Sequence, residues 1–170
     1  MVVAERISAM EHKPTAVYAS PLERTKETAA PIASALRLRV RNAPGLIEAD
    51  VGEWTEKPLR QLYKKKEWPT VQRWPIGFRF PGGESFAEMS VRSMDAVLEL
   101  VAAHRGETIV AVSHADPIKA VVAAAAGVPL DLMPRLVVSP CSVSALLFTG
   151  SGVAVLCINS TGSLSELVLS

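Results

Sequence analysis

Thr108-Ile-Val-Ala-Val-Ser-His114-Ala-Asp-Pro117 runs from an apolar stretch through a polar turn to a proline suited to the first turn of a helix. Thr108 to Val112 is apolar on both faces, as a strand buried inside a parallel sheet is. Asp116 and Pro117 then open an alanine-rich helix that ends at Gly127. His114 falls between the two, at the carboxyl end of a strand, where open α/β sheets place their ligands. Ser113 and His114 are neighbours and point to opposite faces, so they cannot address one substrate atom together. No GxSxG elbow exists elsewhere, and serine-hydrolase chemistry is not indicated. The alternative for His114 is a histidine satisfied by hydrogen bonds at a strand end.

Upstream, Ser85 caps a helix to about His104 with an apolar stripe of Phe86, Met89, Met94, Val97, Leu98 and Val101. Val3, Ile7 and Met10, within Val2 to Met10, have the spacing of an amphipathic helix tail. Ala16 to Ala19 is a short strand. Ser20-Pro21-Leu22-Glu23 follows with the pattern of a capping box, predicting a helix to about Leu36. Leu38 to Arg41 alternates as a half-exposed strand, and Pro44-Gly45 turns into Leu46-Ile47-Glu48. Val51 to Gly83 holds all three tryptophans and Lys64-Lys65-Lys66, with one or two short helices starting near Pro58. Downstream, Val143 to Phe148 and Val153 to Ile158 flank Thr149-Gly150-Ser151-Gly152 as a hairpin. Alternating strands and helices predict a three-layer α/β/α sandwich with an antiparallel edge from that hairpin.

At 170 residues and 49% hydrophobic, the chain suits one domain over residues 1–170. Its 18 basic and 17 acidic residues leave no broad field for nucleic acid or a membrane surface, so any anion must be held locally. No apolar run reaches the length of a membrane span, and the start lacks the order of a signal peptide; a cytoplasmic protein is expected. Cys141 and Cys157 lack metal-ligand spacing and are expected to be buried thiols.

Two further residues suit anion chemistry. Arg24 sits in the first turn of its helix, where free N–H groups and the dipole favour an anion and a guanidinium adds a fork for phosphate. Glu23 or Glu27 would neutralise it if it were only a surface residue. Glu48 precedes Asp50, Glu53 and Trp54, carboxylates beside a large aromatic that suit a general acid of raised pKa.

The segments Ser20-Pro-Leu-Glu-Arg-Thr-Lys-Glu-Thr-Ala29, Leu46-Ile-Glu-Ala-Asp-Val-Gly-Glu-Trp54, Phe80-Pro-Gly-Gly-Glu-Ser85 and Val112-Ser-His-Ala-Asp116 occur in the order seen in the histidine phosphatase superfamily. Ser139-Pro-Cys-Ser-Val-Ser144 and Ile158-Asn-Ser-Thr-Gly162 extend the match, which resembles an actinobacterial subgroup of phosphomutases. The resemblance implies the phosphoglycerate mutase-like fold, with Arg24 and His114 binding phosphate and Glu48 donating a proton to the leaving oxygen. It implies no metal or cofactor and a small phosphorylated metabolite as substrate, chosen by the Val51 to Gly83 excursion.

Two departures stand out. Ala115 replaces the family's usual glycine, and its Arg-His-Gly motif, which carries the nucleophile, has no counterpart; His12 does not match it. Aligned this way, the chain is N-terminally truncated, lacking the first strand and part of the first helix. It is therefore expected to be inactive alone and to aggregate or pair with another chain as a homo-oligomer. Misreading of the start is the favoured explanation; a non-catalytic phosphate-binding protein or a gene remnant are the alternatives.

Overall fold

The structure, a computed structural model, describes residues 3–162; Met1, Val2, where the expected first helix was to begin, and residues 163–170 lie outside it. Three parallel strands lie in the order β2 (Val40–Asn42), β1 (Ala16–Ala19), β3 (Ile109–Val112), with Val17 opposite both Val40 and Val110. Alternation along β1 creates the two sides of the sheet. Val17 and Ala19 enter an apolar cluster with Val3, Ala4 and Ile7 of α1 (Val3–Ser8) and Ala29, Ile32 and Ala33 of α2 (Glu23–Leu36). Tyr18 turns the other way and meets His104 edge-on, with ring centroids 5.7 Å apart. His104 ends α5 (Phe86–Ala103), which packs on α6 (Ala115–Ala125) on that second side. The α/β/α layering is thus as expected.

Ser85 caps α5 as the sequence predicts: its hydroxyl accepts from the Glu88 N–H at 3.2 Å, and the Glu88 carboxylate accepts from the Ser85 N–H at 2.9 Å. The α2 helix ends at Leu36, where Arg37 takes a left-handed conformation and its N–H caps the last carbonyls. The 51–83 excursion forms two short helices, α3 (Leu59–Leu62) and α4 (Trp68–Arg73). Trp54, Phe78 and Phe80 are buried there and join Phe86 and Met89 of α5 in a second core, while Trp74 is 58% exposed.

Four expectations need correction. The hairpin of β4 (Val143–Thr149) and β5 (Gly152–Ser160) pairs only with itself, as a separate two-stranded sheet, because no described strand bridges it to β3. For the same reason β3 is half-buried, with Ala111 exposed, since it has a ladder partner on one side only. Leu98, assigned to the buried stripe of α5, is 46% exposed, and Ser93 takes a buried place instead. Cys141 is exposed in a turn at φ 59°, and Cys157 is only half-buried.

Arg6 of α1 is 2% exposed. Its guanidinium donates to the backbone carbonyls of Ser160 at 2.8 Å and Gly162 at 2.5 Å and to the Ser160 hydroxyl at 3.2 Å. These oxygens tie the first helix to the end of β5.

Candidate active site

β1 and β3 are adjacent and parallel, and each is followed within a few residues by a helix, α2 after β1 and α6 after β3. The unpaired N–H groups of two helix starts therefore face the same end of the sheet, a setting that favours an anion. His114 lies there, 6% exposed, as the residue preceding α6.

Arg24 Nε donates to His114 Nδ1 at 3.1 Å. A guanidinium can only donate, so Nδ1 accepts and the ring proton sits on Nε2. From there it is donated to Ser20 Oγ at 2.8 Å. Ser20 was expected to cap α2, yet that helix starts at Glu23 with Leu22 as its cap residue and no side-chain cap. The Ser20 hydroxyl instead fixes the His114 ring, while the Leu22 N–H points at the same oxygen from 3.4 Å. Only the 94-residue separation hid this partner, because the sequence motif around Ser20 suits either role.

Burial, reinforced by the Arg24 cation, pushes the His114 pKa down to about 4, so the ring is neutral at pH 7. Glu48 Oε2 lies 3.9 Å from His114 Nδ1, too far for a hydrogen bond, and a neutral ring makes no ion pair with it. The other carboxylate oxygen of Glu48 accepts from the Ala49 N–H at 3.1 Å. Burial raises the Glu48 pKa and Asp116 repels its charge, against the Ala49 hydrogen bond and the cations Arg24 and Lys119. A carboxyl group so placed is suited to keep a proton for delivery. Lys119 and Asp116, 3.3 Å apart, complete the rim. Ser113 points away from His114, as its strand position predicts, and its hydroxyl donates to the Leu46 carbonyl at 2.7 Å. Arg24, Glu48 and His114 are thus brought together, and neither Glu23 nor Glu27 pairs with Arg24. A groove of about 660 Å³ on the outer face of α5, beside Val91, Asp95 and Glu99, contains none of the three.

The other histidines lie at the opposite end of the strands. His12 precedes β1 and is exposed, and His104 precedes β3. His104 Nε2 is 2.9 Å from the Tyr18 hydroxyl and Nδ1 2.8 Å from Glu107.

The depressed His114 pKa gives a signed pH dependence. Between pH 6.5 and about 4 the unfolded chain holds a proton on this residue that the folded chain lacks. Stability from this group is therefore present above 6.5 and lost as the pH falls through that window, at up to about 1.4 kcal/mol per pH unit. Glu48 has the opposite sign in its own window, so the contribution is isolated by subtracting the profile of His114→Gln. Urea unfolding from pH 4 to 7 should show the parent losing stability faster than the variant on acidification. Parallel profiles would contradict the buried neutral ring.

Residues 2–161 match the model of the histidine phosphatase superfamily (branch 1). The chain belongs to that superfamily. It is 36% identical over 119 residues to phosphoserine phosphatase 1 of Hydrogenobacter thermophilus, covering 68% of this chain and 56% of that protein. Actinobacterial relatives include the bifunctional protein Rv2228c of Mycobacterium tuberculosis, 31% identical over 152 residues, covering 88% of this chain and 42% of that one. The chain thus spans about half the length of the curated relatives it matches. The solved structure of a mycobacterial glucosyl-3-phosphoglycerate phosphatase in complex with VO3 superposes with a TM-score of 0.82 at 24% identity, over 94% of this chain and 82% of that one. This likeness establishes the phosphoglycerate mutase-like fold. No described helix is long and apolar enough to cross a membrane.

Proposed function

We propose that the chain binds the phosphoryl group of a small phosphate ester between Arg24 and His114, with Glu48 as the proton donor to the leaving oxygen. The observation that carries this reading is the bond from Arg24 to a buried, neutral His114 beneath two helix starts. The guanidinium contributes charge and a planar fork. Nε2–H of His114, now given to Ser20, is the donor that an entering phosphoryl oxygen would recruit.

In the superfamily's reaction a histidine nitrogen attacks phosphorus, the alcohol leaves with a proton from the acid, and water then releases phosphate from the phosphohistidine. Here Glu48 would deliver that proton and recover one from the attacking water. Neither His12 nor His104 is placed to attack a group held by Arg24, since both precede the strands whose far ends carry the site. The 170 residues are thus read as the phosphate-orienting and proton-donating part of a phosphatase or phosphomutase, with no turnover of their own. Turnover requires a histidine supplied from outside these residues. Support for a phosphate ester comes from relatives described as phosphoserine phosphatases and as a glucosyl-3-phosphoglycerate phosphatase. A non-catalytic phosphate binder is the second reading, favoured by the absence of an attacking histidine among the described residues of the site.

Thermal unfolding with and without millimolar phosphate or vanadate, alongside an aryl-phosphate assay, tests the proposal. Stabilisation by the anions without turnover is the expected result. Turnover by these residues alone would overturn this reading, as would no response to either anion.

A further inference from the structure

The segment that carries Glu48 has no regular secondary structure between the 3-10 turns Pro44–Leu46 and Gly52–Trp54, yet its backbone is held at several points. Arg92, in the second turn of α5, does most of the holding. Its Nη1 donates to two carbonyls, Gly45 at 2.8 Å and Ile47 at 3.1 Å. Its Nη2 and Nε donate to the two carboxylate oxygens of Glu84, at 2.6 and 3.3 Å. Glu84 in turn accepts from the Asp50 N–H at 2.8 Å, and its own N–H donates to the Asp50 carbonyl at 2.9 Å. One guanidinium–carboxylate pair therefore grips the chain on both sides of Glu48, at Gly45 and Ile47 before it and at Asp50 after it. Neither side chain is freely exposed, at 28% for Arg92 and 16% for Glu84.

The packing beneath is tight. A methyl group on Gly83 would come within 2.2 Å of the Asp50 carbonyl oxygen, and one on Gly45 within 2.5 Å of Ala96 Cβ. Glu48 and Ala49 are flanked by these anchors, and the Glu48 carboxylate extends toward His114.

We infer that Arg92, acting with Glu84, is a positioning residue for Glu48: the pair fixes the loop so that the carboxyl group stays at the His114 side of the site. The role of Glu48 as proton donor rests on the proposed function, whereas the placement of its carboxyl group does not. An arginine is required because the same head group must serve two carbonyls and a carboxylate at once. A lysine has one nitrogen and no fork, and reaches one set or the other. The groups around Glu48 are His114 from the strand end, Arg24 from α2, Asp116 and Lys119 from α6, and its own Ala49 N–H. Movement of the loop changes the distance to all of them except Ala49.

The test is an NMR titration of the Glu48 side-chain carboxyl, assigned with Glu48→Gln, in the parent, Arg92→Met, Arg92→Lys and Glu84→Gln. The parent carboxyl should titrate above the usual range. In Arg92→Met it should shift down into that range as the loop is released to water, with Arg92→Lys between the two. A merely structural salt bridge would lower the unfolding midpoint and leave the titration where it is in the parent, and that result overturns the inference. Should Arg92→Met not fold, Glu84→Gln decides by the same criterion, since it removes the carboxylate charge that holds the guanidinium against the Gly45 and Ile47 carbonyls. The vanadate response of the parent is recorded in parallel. If vanadate has no effect but Glu48 moves in the variants, the phosphate reading fails and the clamp stands; a vanadate response with an unmoved Glu48 means the reverse.

Discussion

Arg24→Ala should weaken phosphate or vanadate binding by about 100-fold and, in the same protein, raise the pKa of His114. Two charge-assisted hydrogen bonds from a guanidinium fork, each contributing about 1.5 kcal/mol, amount to about a factor of 100 in affinity. The accompanying shift has a definite sign. Burial is the larger cause of the depressed His114 pKa and the Arg24 cation the smaller, so removing the cation lets the value climb from about 4 while burial keeps it below 6.5. Arg24→Lys separates the two effects, because it keeps a charge near the ring and loses the fork. Isothermal titration calorimetry reads the first effect and proton NMR of the imidazole the second. Unchanged anion affinity in Arg24→Ala would remove Arg24 from the site. An unchanged His114 titration would mean that the bond between them does not form in solution.

Trp54→Ala should cost about 3–5 kcal/mol of folding stability, a large part of what a domain this size has. Trp54 is 3% exposed and lies amid three other rings: Phe78 and Phe80 at 5.5 Å and Trp68 stacked at 6.3 Å, with Lys65 Nζ 5.6 Å from the indole ring. No neighbouring side chain can refill a cavity of that size without leaving its own contacts. Urea denaturation should show a lower midpoint with little change in slope. Trp54→Phe should recover more than half of the loss. A cost under about 1 kcal/mol would mean that this aromatic core packs differently from the structure described.

The two predictions bear on different kinds of sequence information. The Ser85 cap, the β1 strand and the end of α2 near Leu36 were legible because each depends on residues within a few positions of one another. Arg24, Glu48 and His114 were legible as candidates from local chemistry and from motifs of a known family. Their convergence is a matter of chain topology: β1 and β3 lie side by side although more than 85 residues separate them in sequence. What the sequence hid are properties set by distant neighbours. Ser20 carries a capping pattern, but a hydroxyl bonds whichever partner the fold delivers, here His114. Thr108 to Val112 is apolar enough for burial on both faces, yet burial is decided by what lies beside the strand. Cys141 lies in an apolar context, and a left-handed turn places it at the surface. The partners of Arg92 and Arg6 left no local mark at all, since a carbonyl can belong to any residue.

Arg6 also bears on how the chain matures during synthesis. Its carbonyl partners at the end of β5 and just beyond it, Ser160 and Gly162, lie 154 and 156 residues further along the chain. At a ribosomal rate of about 5–20 residues per second, α1 therefore waits on the order of ten seconds before Ser160 exists to receive the guanidinium. Until then the cation must stay in water, because burying it unbonded costs several kcal/mol. Although α1 precedes β1 in sequence, it is thus among the last of the described elements to dock, and the core against β1 closes only after Ser160 has been made.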